Sequence, residues 1–159
     1  MAGIDLLRWL HVIGAAVLLG TGAGIAFFML MAHRTRDPQL IAHVAGSVVR
    51  ADLIFTATAV IAQPVTGLAL AQATGWPLSE GWLMLSMALY VATGLFWLPV
   101  VWIQLRLRAL AAAAARDTRE LPAAYDRLFR IWLACGVPAF LAVLAIFWLM
   151  LNRPQLSPW

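Results

Sequence analysis

His11 is the first residue of the chain whose chemistry asks for an explanation. It lies about two turns into an apolar run that opens at Leu6, and its neighbours on the same helical face are Gly14 and Ala15, then Leu18 and Gly22. Small residues beside an imidazole leave room for a flat macrocycle, and histidine is a common axial ligand of haem iron in helical bundles. Arg8, one turn nearer the end of the helix, is placed to pair with a carboxylate such as a haem propionate. The candidate cofactor set is therefore His11 as the iron ligand, Arg8, Gly14 and, as a second thioether ligand at similar depth, Met84, with Met87 one turn on. The same residues are also explained by a packed His bonded to a neighbouring helix, with Arg8 snorkelling to the interface and the two Met as packing. His33 lies twenty-two residues on, roughly 33 Å along a helix, and cannot share a haem with His11. With Arg34 and Arg36 after it, His33 reads as interfacial; His43 reads as solvated or bound to headgroups.

These residues must be positioned by membrane helices. Of the 159 residues 64% are apolar and 11% charged, too apolar for a soluble domain of this size to hide. Runs of roughly twenty apolar residues fall at about 6–32, 53–73, 81–103 and 131–151, giving an all-α, polytopic four-transmembrane-helix bundle in one transmembrane domain over 1–159. Asp37-Pro38 reads as a cap and first turn, so the second helix starts well before its membrane part. Gly75 suits a left-handed cap, Ser79 can cap the third helix, Pro122 suits the first turn of the fourth, and Asn152 with Pro154 closes it. The tract Ala111–Ala115 extends the third helix beyond the bilayer.

All eleven basic residues are Arg. Arg34, Arg36 and Arg50 flank the first connection, and Arg106, Arg108, Arg116, Arg119, Arg127 and Arg130 flank the third; the second has none and holds Glu80. The positive-inside rule puts both Arg-rich connections in the cytoplasm and both termini on the outer side. The basic charge thus belongs to membrane topology, and nucleic acid is not a partner. Trp9, Trp76, Trp82 and Trp148 are expected at the outer interface, Trp102 and Trp132 at the inner one.

Cys135 is single and lies in an apolar run, as a packing residue. The GxxxG from Gly20 to Gly24 lets another helix approach closely, in the bundle or in a homo-oligomer. Pro64, Pro99 and Pro138 each remove a helical hydrogen bond, and Gln63 is placed to meet a freed carbonyl or a cavity. No Asp, Glu, Lys or Arg falls in the middle of a span, which argues against a pump or a charged-solute transporter.

Arg8-Trp-Leu-His11-Val-Ile-Gly14, Met31-Ala-His33-Arg34, Gly81-Trp-Leu and Tyr125-Asp-Arg-Leu-Phe129 occur here in order. Together they resemble an uncharacterised bacterial family of four-helix integral membrane proteins, a domain of unknown function in the CopD-like superfamily. The resemblance extends to HemJ-type protoporphyrinogen oxidases, which bind haem b through a His of the first span, the place of His11; His33 matches a His at the end of that span. This chain departs from them with Met84 and Ser86 after the Gly-Trp-Leu, where those proteins carry His and Lys, and with Phe28 in place of a basic residue. The resemblance implies a multi-pass protein of the bacterial inner (cytoplasmic) membrane that binds haem b and passes electrons to a membrane redox partner. The alternatives are a non-catalytic assembly subunit of a membrane complex and a small-solute or metal permease; a ladder of His, Met and Cys ligands for metal transport is missing.

Overall fold

The computed structural model describes residues 2–156 and is all-helical over them. Helix α1 spans Ala2–Thr35, α2 Pro38–Ala51, α3 Ala57–Thr74, α4 Gly81–Arg116 and α5 Ala123–Asn152. A π-helical turn, Asp52–Thr56, joins α2 to α3 without interruption, so residues 38–74 form one helix. Four helices of 30 to 37 residues are long and apolar enough to cross a membrane. Their outer faces carry large apolar side chains such as Ile61, Leu95, Leu98 and Leu141, which lipid can cover without penalty.

The punctuation follows local chemistry. Asp37 accepts from the amides of Gln39 (2.8 Å) and Leu40 (3.4 Å), and Pro38 loses nothing by lacking an amide proton there. Gly75 caps α3 at φ 74°, with the Trp76 amide reaching back to the Ala71 carbonyl at 3.0 Å. Two expected caps shift: Glu80, not Ser79, precedes α4, and Pro122 lies just before α5 rather than within its first turn. The alanine tract does carry α4 on to Arg116.

The two ends of the bundle are built differently. At the basic end, near the 36–37 and 117–122 connections, α2 packs against α1 and α4, and α5 against α4 and α1. Met29, Ile41, Ala45, Leu107, Ala111 and Tyr125 are fully buried there. Trp132 is buried in this core instead of standing in an interfacial belt, because its neighbour Phe129 and the α4 side chains close over it. Towards the terminal end, α3 packs on α1 while α4 and α5 pair with each other. The α3–α4 seam is held there by side chains: the Tyr90 hydroxyl donates to the Val60 carbonyl, and Ala71 packs with Trp82 and Leu83. The π turn is where the long helix leaves α4 while staying packed on α1.

Candidate functional site

In the terminal half, α3 fixes His11 from both sides. Its Nδ1 lies 2.9 Å from Thr66 Oγ1, and Gln63 Nε2 donates to the His11 carbonyl at 2.8 Å. Thr66 has one hydroxyl proton, donated to the Ala62 carbonyl at 2.7 Å. With that proton on the carbonyl, Thr66 Oγ1 accepts from His11 Nδ1–H and Nε2 carries the lone pair. The ring rests on Gly67, where a Cβ would meet His11 Cε1 at 3.0 Å. Gly14 makes room too, but for the Gln63 amide, which occupies the space that a macrocycle would need.

The other members of the expected cofactor set are not brought to this ring. Met84 is 40% exposed on α4, a helix without substantial packing against α1. The Arg8 guanidinium lies 3.5 Å from Asp5, both well exposed. A lone imidazole whose Gly14 face is filled by the Gln63 amide, with Met84 exposed on another helix, does not fit haem. The geometry is that of a packed histidine bonded across a helix pair.

His33 is likewise taken into packing. Its ring stacks on Phe129, with centroids 3.8 Å apart and planes within 6°, and Tyr125 lies 5.7 Å away. Beside it, Arg36 clamps Asp126 through two hydrogen bonds of 2.5 and 3.1 Å, and that bonding holds the Asp126 carboxyl below the usual carboxylate range. This pair joins the end of α1 to the start of α5.

The unexpected residue is Asp52. It lies just before the apolar run that begins at residue 53, yet the helix runs straight through it and only 3% of its surface is exposed. One carboxyl oxygen accepts from Trp97 Nε1 at 3.3 Å; the other is buried with no close hydrogen bond, and the buried Thr56 hydroxyl one turn on is the polar group beside the carboxyl. Buried polar groups in proteins are nearly always paired, so an orphaned carboxyl oxygen marks a place meant to be engaged. π-Helical turns inside α-helices recur at functional sites, because the extra residue re-aims side chains.

Trp97 belongs to a polar face of α4. Trp82, Ser86, Tyr90, Thr93, Trp97 and Gln104 recur at intervals of three, four or seven residues, which places them along one side of the helix. Trp82, Ser86 and Gln104 are buried, and the other three are half-buried. Trp82 Nε1 and Gln104 Oε1, towards opposite ends of the track, have no partner. The sequence signal for this face is a helical period of hydroxyls and indoles, which carries no ionisable group.

No curated protein and no solved structure matches the chain. A family model described as a predicted integral membrane protein, DUF2269, matches residues 5–154. With four apolar helices and a match over almost its whole length, the chain belongs to the DUF2269 family of predicted integral membrane proteins.

Proposed function

We propose that the protein exchanges protons across its membrane, with Asp52 as the proton site and the polar face of α4 as its approach. The observation that carries this reading is the buried Asp52 carboxyl, bonded to Trp97 through one oxygen and with no close bond at the other, where the Thr56 hydroxyl is the polar group at hand. A proton suits the site better than a metal ion. Hard cations take six or more oxygen ligands, whereas the polar groups nearby are one carboxyl and the Thr56 hydroxyl, and no cluster of metal-binding side chains occurs among the described residues. The step is a simple proton transfer: hydronium on one side gives up an O–H bond as one forms at the Asp52 carboxylate, and that bond breaks as the proton passes to water on the other side.

Tyr90, Thr93 and Ser86 supply hydroxyls on the terminal side of Asp52, and Gln104 supplies an acceptor on the basic side. The parting of the long helix from α4 at the π turn gives it a place to flex as the carboxyl gains or loses charge. By the positive-inside rule the terminal end faces outward and the basic end faces the cytoplasm of a bacterial inner membrane.

The test is proton flux into proteoliposomes loaded with a pH-sensitive dye. Wild type should dissipate an imposed pH gradient faster than protein-free vesicles, and Asp52→Asn should fall to the protein-free rate. Asp5→Asn, at the exposed start of α1, should behave as wild type. Wild-type vesicles no faster than protein-free ones, or an unimpaired Asp52→Asn, would overturn the proposal. The former result would favour an assembly subunit.

A further inference from the structure

A groove of about 490 Å³ runs between α1 and α2 on a different face of the protein from the α4 track. Thr21, Gly24, Ile25 and Phe28 form one wall; Val44, Val48, Ala51 and Phe55 form much of the other. His43 and Ser47 line it towards the basic end. From His43 to Phe55 the groove covers thirteen residues, about 18 Å of helix, which spans a headgroup and the upper part of its acyl chains.

Its polar rim is built on α2. His43, Ser47 and Arg50 follow at i, i+4 and i+7, on one face. Arg50 Nη2 donates to Ser47 Oγ at 3.4 Å, which turns the guanidinium back towards the rim and the basic end. The groove thus has an apolar body of about 12 Å between Ser47 and Phe55 and a hydroxyl- and imidazole-bearing mouth at its basic end, to which the Arg50 guanidinium reaches back.

We propose that this groove binds one anionic phospholipid, its acyl chain along Gly24 and Ala51 and its phosphate at Arg50, Ser47 and His43. Charge complementarity selects this occupant. Nine of the eleven Arg belong to the basic end, which attracts an anionic headgroup. A second copy packed in parallel on the same face would bring two such ends together. The GxxxG glycines do not serve packing within the chain: a Cβ at Gly20 or Gly24 meets nothing within 4 Å. Gly24 is open because the groove is there.

The test is native mass spectrometry of the purified protein after incubation with an equimolar mixture of phosphatidylglycerol and phosphatidylcholine. Wild type should retain one phosphatidylglycerol with at least tenfold preference. Gly24→Leu, which fills the groove, should lose the bound lipid, whereas Gly20→Leu, off the groove on the same helix, should keep it. Arg50→Gln should keep a lipid but lose the headgroup preference. Matching melting curves for the two leucine variants would show that lost lipid does not reflect lost fold; if Gly24→Leu melts early, the Arg50→Gln preference decides. Equal retention of both lipids by wild type, retention unchanged by Gly24→Leu, or a lipid-free dimer would overturn the proposal, the last in favour of a second copy.

Discussion

The two halves of this bundle handle their histidines alike and their packing differently. At the basic end four helices close around Tyr125, Phe129, Leu107 and Met29, and His33 becomes part of an aromatic stack. In the terminal half the helices associate as pairs, α1 with α3 and α4 with α5, and His11 is held by one partner helix. The difference teaches where a small membrane protein places rigidity. Lipid is as apolar as a leucine side chain, so burial against it gains nothing, and only close packing or hydrogen bonds hold the helices together. The basic half uses packing; the terminal half uses hydrogen bonds from Thr66, Gln63 and Tyr90. Asp52 stands at the junction, where the long helix passes from one regime to the other.

The comparison breaks most readily if equal truncations cost equal amounts in both halves. Phe129→Ala removes the ring on which His33 stacks and leaves a hole in the core. Large-to-small core changes cost about 3–5 kcal/mol in soluble proteins; without a transfer term in lipid, about 2–3 kcal/mol is expected here. Leu141→Ala, 58% exposed on α5, should cost less than about 0.5 kcal/mol. Reversible unfolding in mixed micelles, followed by helical circular dichroism, measures both. Similar losses would show that the basic half is no better packed than the rest.

A smaller effect is expected at the junction. Trp97→Phe removes the indole donor to the Asp52 carboxyl and leaves only the Thr56 hydroxyl beside it. The cost should be about 1–3 kcal/mol, that of an unsatisfied buried group. Combining Trp97→Phe with Asp52→Leu should recover most of that stability, because nothing polar then remains to be satisfied. A double variant no more stable than Trp97→Phe alone would mean that the indole acts through packing.

The terminal half gives a smaller loss still. Thr66→Val keeps the shape of the side chain and removes the acceptor for His11, for an expected cost of about 0.6 kcal/mol, the average for interhelical hydrogen bonds in a bilayer. The same site makes a spectroscopic prediction. Purified from cells well supplied with haem, the protein should show no b-type absorption after dithionite reduction. A reduced b-type spectrum lost in His11→Ala would reinstate His11 Nε2 as an iron ligand.

Much of the fold was legible because the signals are local. Asp37-Pro38 and Gly75 mark helix ends by their own backbone chemistry, and four long apolar stretches leave little choice of class. The site was legible only in part, because its meaning depends on neighbours that a single helix does not reveal. His11 attracted attention by residue type, yet Thr66 and Gly67, more than fifty residues away, decide its role. Asp52 was passed over because hydropathy drops at Asp52 itself, so a span read from apolar runs begins just after it. Trp132 was assigned to an interface by its depth, and only the packing of α5 against α4 and α1 makes it a core residue.

The smallest effect sharpens the comparison at the edge of the closed half. The Arg36–Asp126 clamp joins the first helix to the last, outside the apolar stretches, and both partners are well exposed, so solvent screens it strongly. Asp126 is held below its ordinary value chiefly by the hydrogen bonds from Arg36. A carboxyl depressed in the folded state stabilises above its unfolded pKa, and that stabilisation is lost as pH falls through the folded one. Wild type should therefore lose about 0.5 kcal/mol on acidification through the range from an ordinary carboxylate downward. Asp126→Asn should remove that component of the pH dependence while lowering stability at neutral pH by the same amount. Unfolding of wild type and variant at neutral pH and at successively lower values measures the difference. A difference that does not shrink on acidification would mean that the clamp acts through shape rather than charge, and that the aromatic stack beneath it closes the bundle unaided.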